Sequence, residues 1–117
     1  MFGVKPRNAF ISICFAMVGV DQEVDQREID KMYEVLQRYG FLSNEVEKEM
    51  KSLFKMSSSI SKVMRYVGKC MASITKLDET MANNLIQALT DIAKSDDFFH
   101  DKEKDYLESV KLLLGKS

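Results

Sequence analysis

Apolar residues recur at helical spacing along nearly the whole chain and nowhere alternate over the length of a strand, so the sequence has nothing from which to build a sheet. The single proline, Pro6, sits near the N-terminus, and β-branched residues are scattered rather than clustered. The fold class is therefore all-α. A chain of 117 residues that is 45% apolar closes one hydrophobic core and is too short for two ordinary domains, so residues 1–117 are expected to form one compact bundle of about six helices.

The helices can be placed by their stripes and punctuation. Pro6 suits a first turn, where its missing N–H is no loss, and a helix from there to Gly19 carries Phe10, Ile13, Cys14 and Met17 on one face. Ile11, Phe15 and Val18 widen that stripe until little polar face remains, which marks a central helix. The second carries Ile29, Met32, Tyr33, Leu36 and Tyr39 and stops at Gly40, a left-handed cap. Asn44 and Glu47 read as the cap of a third, with Val46, Met50, Leu53 and Phe54 inward. Ser57, Ser58 and Ser59 read as a connection. A fourth follows with Ile60, Val63, Met64, Val67, Met71 and Ile74, and Asp78 caps a fifth with Met81, Leu85, Ala88, Leu89 and Ile92. The last, from Asp101, points Tyr106, Leu107, Val110, Leu113 and Leu114 inward and ends at Gly115.

Two acidic turns repeat within this plan. Asp21, Val24 and Glu28 return seventy-five positions later as Asp96, Phe99 and Glu103, before the second and the last helix, so helices one–two and five–six form related hairpins. Asp25 and Glu28 have the spacing of a capping box, with Val24 and Ile29 placed as a hydrophobic staple. The same carboxylates admit a second reading. Asp21, Asp25 and Glu28 with Asp96, Asp97 and Glu103 supply the oxygen ligands that a hard divalent cation takes. An EF-hand is excluded, because Gln26 replaces the turn glycine and Met32 stands where the final Glu belongs.

The apolar helix, the Asp followed seven residues on by Glu with an apolar residue between, the amphipathic helix, and the repeat of all three together resemble the TerB-like domains of tellurite-resistance systems. Asp21 and Asp96, Val24 and Phe99, and Glu28 and Glu103 match that family's turn, whereas Gln22 and Asp97 replace its glycine and Val20 and Ser95 its alanine. The resemblance implies an all-helical domain of two related halves. It also implies a role in the stress response to tellurite and other toxic agents, divalent metal (Ca²⁺, Mg²⁺, Mn²⁺ or Zn²⁺) at the acidic residues, membrane-associated protein partners, and no enzymatic activity.

Net charge of −1 points to neither a nucleic-acid binder nor a polyacid. Lys62, Arg65 and Lys69 share one face of the fourth helix, either as a solvated surface or as a dock for an acidic partner or anionic membrane. That dock, or a metal-independent scaffold whose acidic turns are only caps, is the alternative to ion binding. Cys14 and Cys70 lie within apolar patterns and read as buried thiols of a cytoplasmic protein. The eight methionines follow the inward stripes and read as core rather than as an adaptable binding groove, and Phe98 and Phe99 either anchor the second turn or form an exposed aromatic hot spot for a partner. Lys5 and Arg7 before the apolar run from Ala9 to Val20 imitate a secretion signal, but no small-x-small cleavage site follows and the run is too short to span a membrane. No nucleophile elbow, phosphate loop or Cys–His pair is present, and the one histidine, His100, stands where a cap is wanted, so catalysis is not expected.

Overall fold

Helix α1 (Pro6–Val18) runs through the middle of the molecule and packs against α4 (Ile60–Ile74) and α5 (Glu79–Ala93) more than against α2 (Gln26–Arg38) or α3 (Ser43–Met56). Helix α6 (Asp101–Leu113) lies on α5, and α2 reaches across to α5 as well. This computed structural model describes residues 5–18, 26–56, 60–95 and 101–116, with the backbone only at 54, 56, 60, 61, 63 and 64. Among the described residues there are six helices and no strand, as the periodicity predicts. A radius of gyration of 13.1 Å is what a folded chain of this length gives, about 13 Å.

The central position of α1 follows from its composition. Ala9, Phe10, Ile11, Ile13, Cys14 and Met17 are wholly buried, and Pro6 occupies the first helical position with Lys5 accepting the Ala9 N–H. With no charged residue after Arg7, this helix has no face to offer water and must be surrounded.

The other ends are set by local chemistry. Asp78 caps α5 by accepting the Met81 N–H at 2.8 Å. Gly40 adopts φ +90 and closes α2 with two bonds, Gly40 N–H to Gln37 and Phe41 N–H to Leu36, a Schellman motif that only a left-handed residue completes. Gly115, φ +73, repeats it for α6, with bonds to Leu112 and Lys111.

Two expectations need correction. Helix α3 starts at Ser43 rather than behind Asn44, because Leu42 supplies the capping carbonyl and Glu45 takes the Leu42 N–H at 3.3 Å. Leu113 is 40% exposed instead of inward, since α6 has α5 as its main neighbour and cannot bury a wide stripe. The serine connection lies outside the described residues.

Candidate functional site

The first turns of α2 and α6 are built alike. Both helices have 13 residues, and Gln26 and Asp101 start them as Arg38 and Leu113 end them, at the seventy-five-residue offset of the acidic turns. The offset also relates the buried pairs Met32 and Leu107, Val35 and Val110, and the glycines Gly40 and Gly115. In α1 and α5 it pairs Phe10 with Leu85, Cys14 with Leu89 and Met17 with Ile92, all wholly buried. The repeat is therefore a property of helix hairpins and not only of two short turns.

Glu28 and Glu103 occupy matching places in these first turns, and each is only 1% exposed. Carboxylates are rarely buried so completely without polar or ionic company, because desolvation penalises the charge. Both residues take part in further interactions, and each carboxylate lies in the first turn of its helix, at the positive end of the dipole. Asp21, Asp25, Asp96, Asp97, Phe98, Phe99 and His100 lie outside the described residues. Among the described residues no group of three His, Cys, Asp or Glu side chains is close enough to hold a metal ion. Glu28 and Glu103 supply the hard oxygen donors a divalent cation takes, and the rest of a coordination shell would have to come from the adjoining turns.

Basic residues gather elsewhere. Lys62, Arg65 and Lys69 are all exposed along one side of α4, while Cys70 and Ile74 turn away from them into the core. The structure thus separates the two nominated surfaces, carboxylates in the first turns of α2 and α6 and cations on the outer side of α4.

Behind α4 lies a buried polar group that the sequence did not announce. The Tyr66 hydroxyl donates to Glu49 Oε1, and Glu49 is 8% exposed. Burial, reinforced by Glu49, raises the Tyr66 hydroxyl well above its ordinary value. Burial also pushes the Cys70 thiol up to about 11 and raises that of Cys14 further, so neither is a ready thiolate. Tyr106 donates to the Ile13 carbonyl at 2.9 Å and is likewise raised by burial. These groups cross-link helices and supply no nucleophile.

A cleft of about 620 Å³ opens between the start of α1 and α3, with Lys5, Asn8, Asn44, Lys48 and Ser52 in its lining. Its wall is committed to structure. Arg7 forms two bonds to Glu45 and one of 2.7 Å to the Gly40 carbonyl, with its guanidinium 4.3 Å from the centre of the Phe41 ring. The Glu45 partner raises Arg7 above its ordinary value, and the Arg7 bonds hold Glu45 below the usual carboxylate range.

No helix of the described residues is long and apolar enough to cross a membrane. Neither the curated proteins nor the solved structures include a match to this chain. The family Tellurite resistance protein TerB matches residues 7–117, nearly the whole length, and the chain belongs to it.

Proposed function

We propose that this TerB domain is a cytoplasmic, non-catalytic interaction module of a tellurite-type stress response, whose shape or stability is set by a divalent ion at its two acidic turns. The observation that carries this reading is the matched burial of Glu28 and Glu103, each 1% exposed in the first turn of an equivalent helix. A helix cap alone needs no such burial, since capping carboxylates function at the surface. A cation would offset the desolvation of both groups and draw in Asp21, Asp25, Asp96 and Asp97 from the turns next to them. The absence of an activated thiol supports a binding role over a thiol-based catalytic one.

The test is thermal unfolding with Ca²⁺, Mg²⁺, Mn²⁺ or Zn²⁺ in turn. A ligand specific for the native state stabilises it by about 2.7 kcal/mol at a hundredfold excess over its dissociation constant. The expected result is a rise in melting temperature with at least one ion, and its loss when Asp21→Asn and Asp96→Asn are combined with Glu28→Gln and Glu103→Gln. An unmoved melting temperature with all four ions, or the same rise in the variant, excludes ion control and leaves the turns as caps.

A further inference from the structure

Between Glu49 and Asp78 the chain contains no acidic residue, while Lys51, Lys55, Lys62, Arg65, Lys69 and Lys76 all fall there. With six positive charges in this segment and −1 overall, the remainder of the chain carries −7. The near-neutral total thus conceals a strongly divided molecule. All six cations are exposed. Arg7, Lys31, Arg38, Lys104, Lys111 and Lys116 each lie within 4.0 Å of a carboxylate. Lys51, Lys55, Arg65, Lys69 and Lys76, by contrast, form no ion pair among the described residues. The charge of this region is therefore compensated mainly by solvent, and it projects a field beyond the surface.

We infer that the outer side of α4 docks an acidic segment of a protein partner. Lys62, Arg65 and Lys69 follow one another at helical spacing, and Lys76 continues the line just past the helix end, for a total of about 20 Å. Exposed Gly68 and Ala72 lie beside this line, and a Cβ placed on Gly68 would meet nothing within 4 Å, so at this point the surface is open to a partner's backbone. The length matches a few helical turns of an acidic segment. A membrane plane fits less well: among the described residues the exposed large apolar ones are Leu42, Leu112 and Leu113, none of them on α4. A nucleic acid also fits poorly, because a long polyanion extending beyond the patch meets the −7 remainder, and Tyr66 turns its hydroxyl inward to Glu49 rather than offering a stacking platform. This inference rests on reading the domain as an interaction module, and it does not depend on the ion.

The experiment measures fluorescence anisotropy of a labelled helical peptide with glutamates along one face, against the same peptide with glutamines, in EDTA across a range of salt. Binding of the glutamate peptide is expected, weakening steeply with salt. Lys62→Glu, Arg65→Glu and Lys69→Glu combined should weaken it roughly tenfold or more, about 1.4 kcal/mol. The control reverses the same number of charges elsewhere, Lys94→Glu, Lys102→Glu and Lys104→Glu, and should retain most of the affinity. All six substituted side chains are exposed, so melting temperatures should stay close to the parent, and a milder Lys62→Gln, Arg65→Gln, Lys69→Gln variant should lose affinity by an intermediate amount. Equal losses in test and control variants, no binding at low salt, or tighter binding to phosphatidylglycerol vesicles or duplex DNA than to the peptide would overturn the inference. Because EDTA is present throughout, failure here is separate from failure of the ion reading.

Discussion

Helices α2 and α6 share a length, a buried glutamate in the first turn and a glycine Schellman motif at the end, yet their surroundings differ. Helix α2 is held between α1, α3 and α5, whereas α6 has α5 as its principal neighbour. The inner face of α2 is correspondingly wide, with Met32, Val35 and Leu36 wholly buried and Ile29, Tyr33 and Tyr39 packed at its margins. At the α6 positions matching Ile29, Tyr33 and Leu36 stand Lys104, Glu108 and Lys111, and the buried stripe narrows to Glu103, Leu107 and Val110, with Tyr106 and Leu114 beside it. What the two helices retain in common is the first-turn glutamate, three apolar contacts and the stop. Packing has diverged around that shared frame, as expected if the frame serves the turns and the remainder serves each helix's own neighbours.

The sharpest way to break this comparison is truncation at one matched pair. Leu36→Ala removes a wholly buried side chain and should cost about 2–5 kcal/mol of stability. Lys111→Ala, at the corresponding place, loses only an exposed i,i+3 pair with Glu108 and should change stability by no more than about 0.5 kcal/mol. Urea unfolding of the two variants measures the difference. Similar losses would mean that α6 is as deeply integrated as α2, against the packing described above.

Much of this architecture is legible in the residues themselves. The stripe of α1 has no polar side and so has to be central, Asp78 and Gly40 are recognisable caps, and the acidic turns disclose the repeat. What escapes is whatever depends on neighbours. A glutamate in a first turn normally faces water, so nothing in the letters of Glu28 or Glu103 reveals that both are buried. The start of α3 escapes because Glu45 bonds both the Leu42 N–H and a partner thirty-eight positions earlier, Arg7. Leu113 continues a good helical stripe, and it is exposed because α6 packs mainly on α5. The cations of α4 were visible as a face, but whether acidic side chains from other helices neutralise them is decided in three dimensions.

A smaller effect separates the two glycine stops. An alanine forced into the left-handed region costs about 1–2 kcal/mol, and at both Gly40 and Gly115 the surrounding space is open, so the cost is conformational rather than steric. Gly40 carries additional structure. Its carbonyl accepts from Arg7, and the next residue, Phe41, is buried with its ring 4.8 Å from that of Phe10. Gly115 leads into Lys116, whose ammonium reaches Glu79 at the surface. Gly40→Ala should therefore lower stability by the full amount, and Gly115→Ala by less than about 1 kcal/mol. Thermal melts of the pair check this order, and its reversal would place the more important stop on α6.

The smallest expected effect concerns a contact that the first hairpin has and the second lacks. Arg7 ties α1 to Glu45 and to the end of α2, while the residue matching Arg7 in α5 is Ala82, which cannot form such a clamp. Bonding to Arg7 holds the folded Glu45 carboxyl below its ordinary range. A lowered folded value means that the clamp's stabilisation is complete at pH above the unfolded value of about 4.3 and disappears as pH falls through the folded one. The Arg7 side chain is 48% exposed, so solvent screening limits the contribution to about 0.3–1 kcal/mol. Arg7→Met preserves the stem over Phe41 and removes the charge. The stability difference between parent and Arg7→Met should then be present at neutral pH and shrink as the pH falls through the lowered folded value of Glu45 and the carboxyl becomes protonated. Other carboxylates titrate over the same range, but they do so in both proteins, and the difference isolates the clamp. A difference that does not change with pH would show that Arg7 acts through its bond to the Gly40 carbonyl and its guanidinium over the Phe41 ring, making the link between the two helix ends independent of the Glu45 charge.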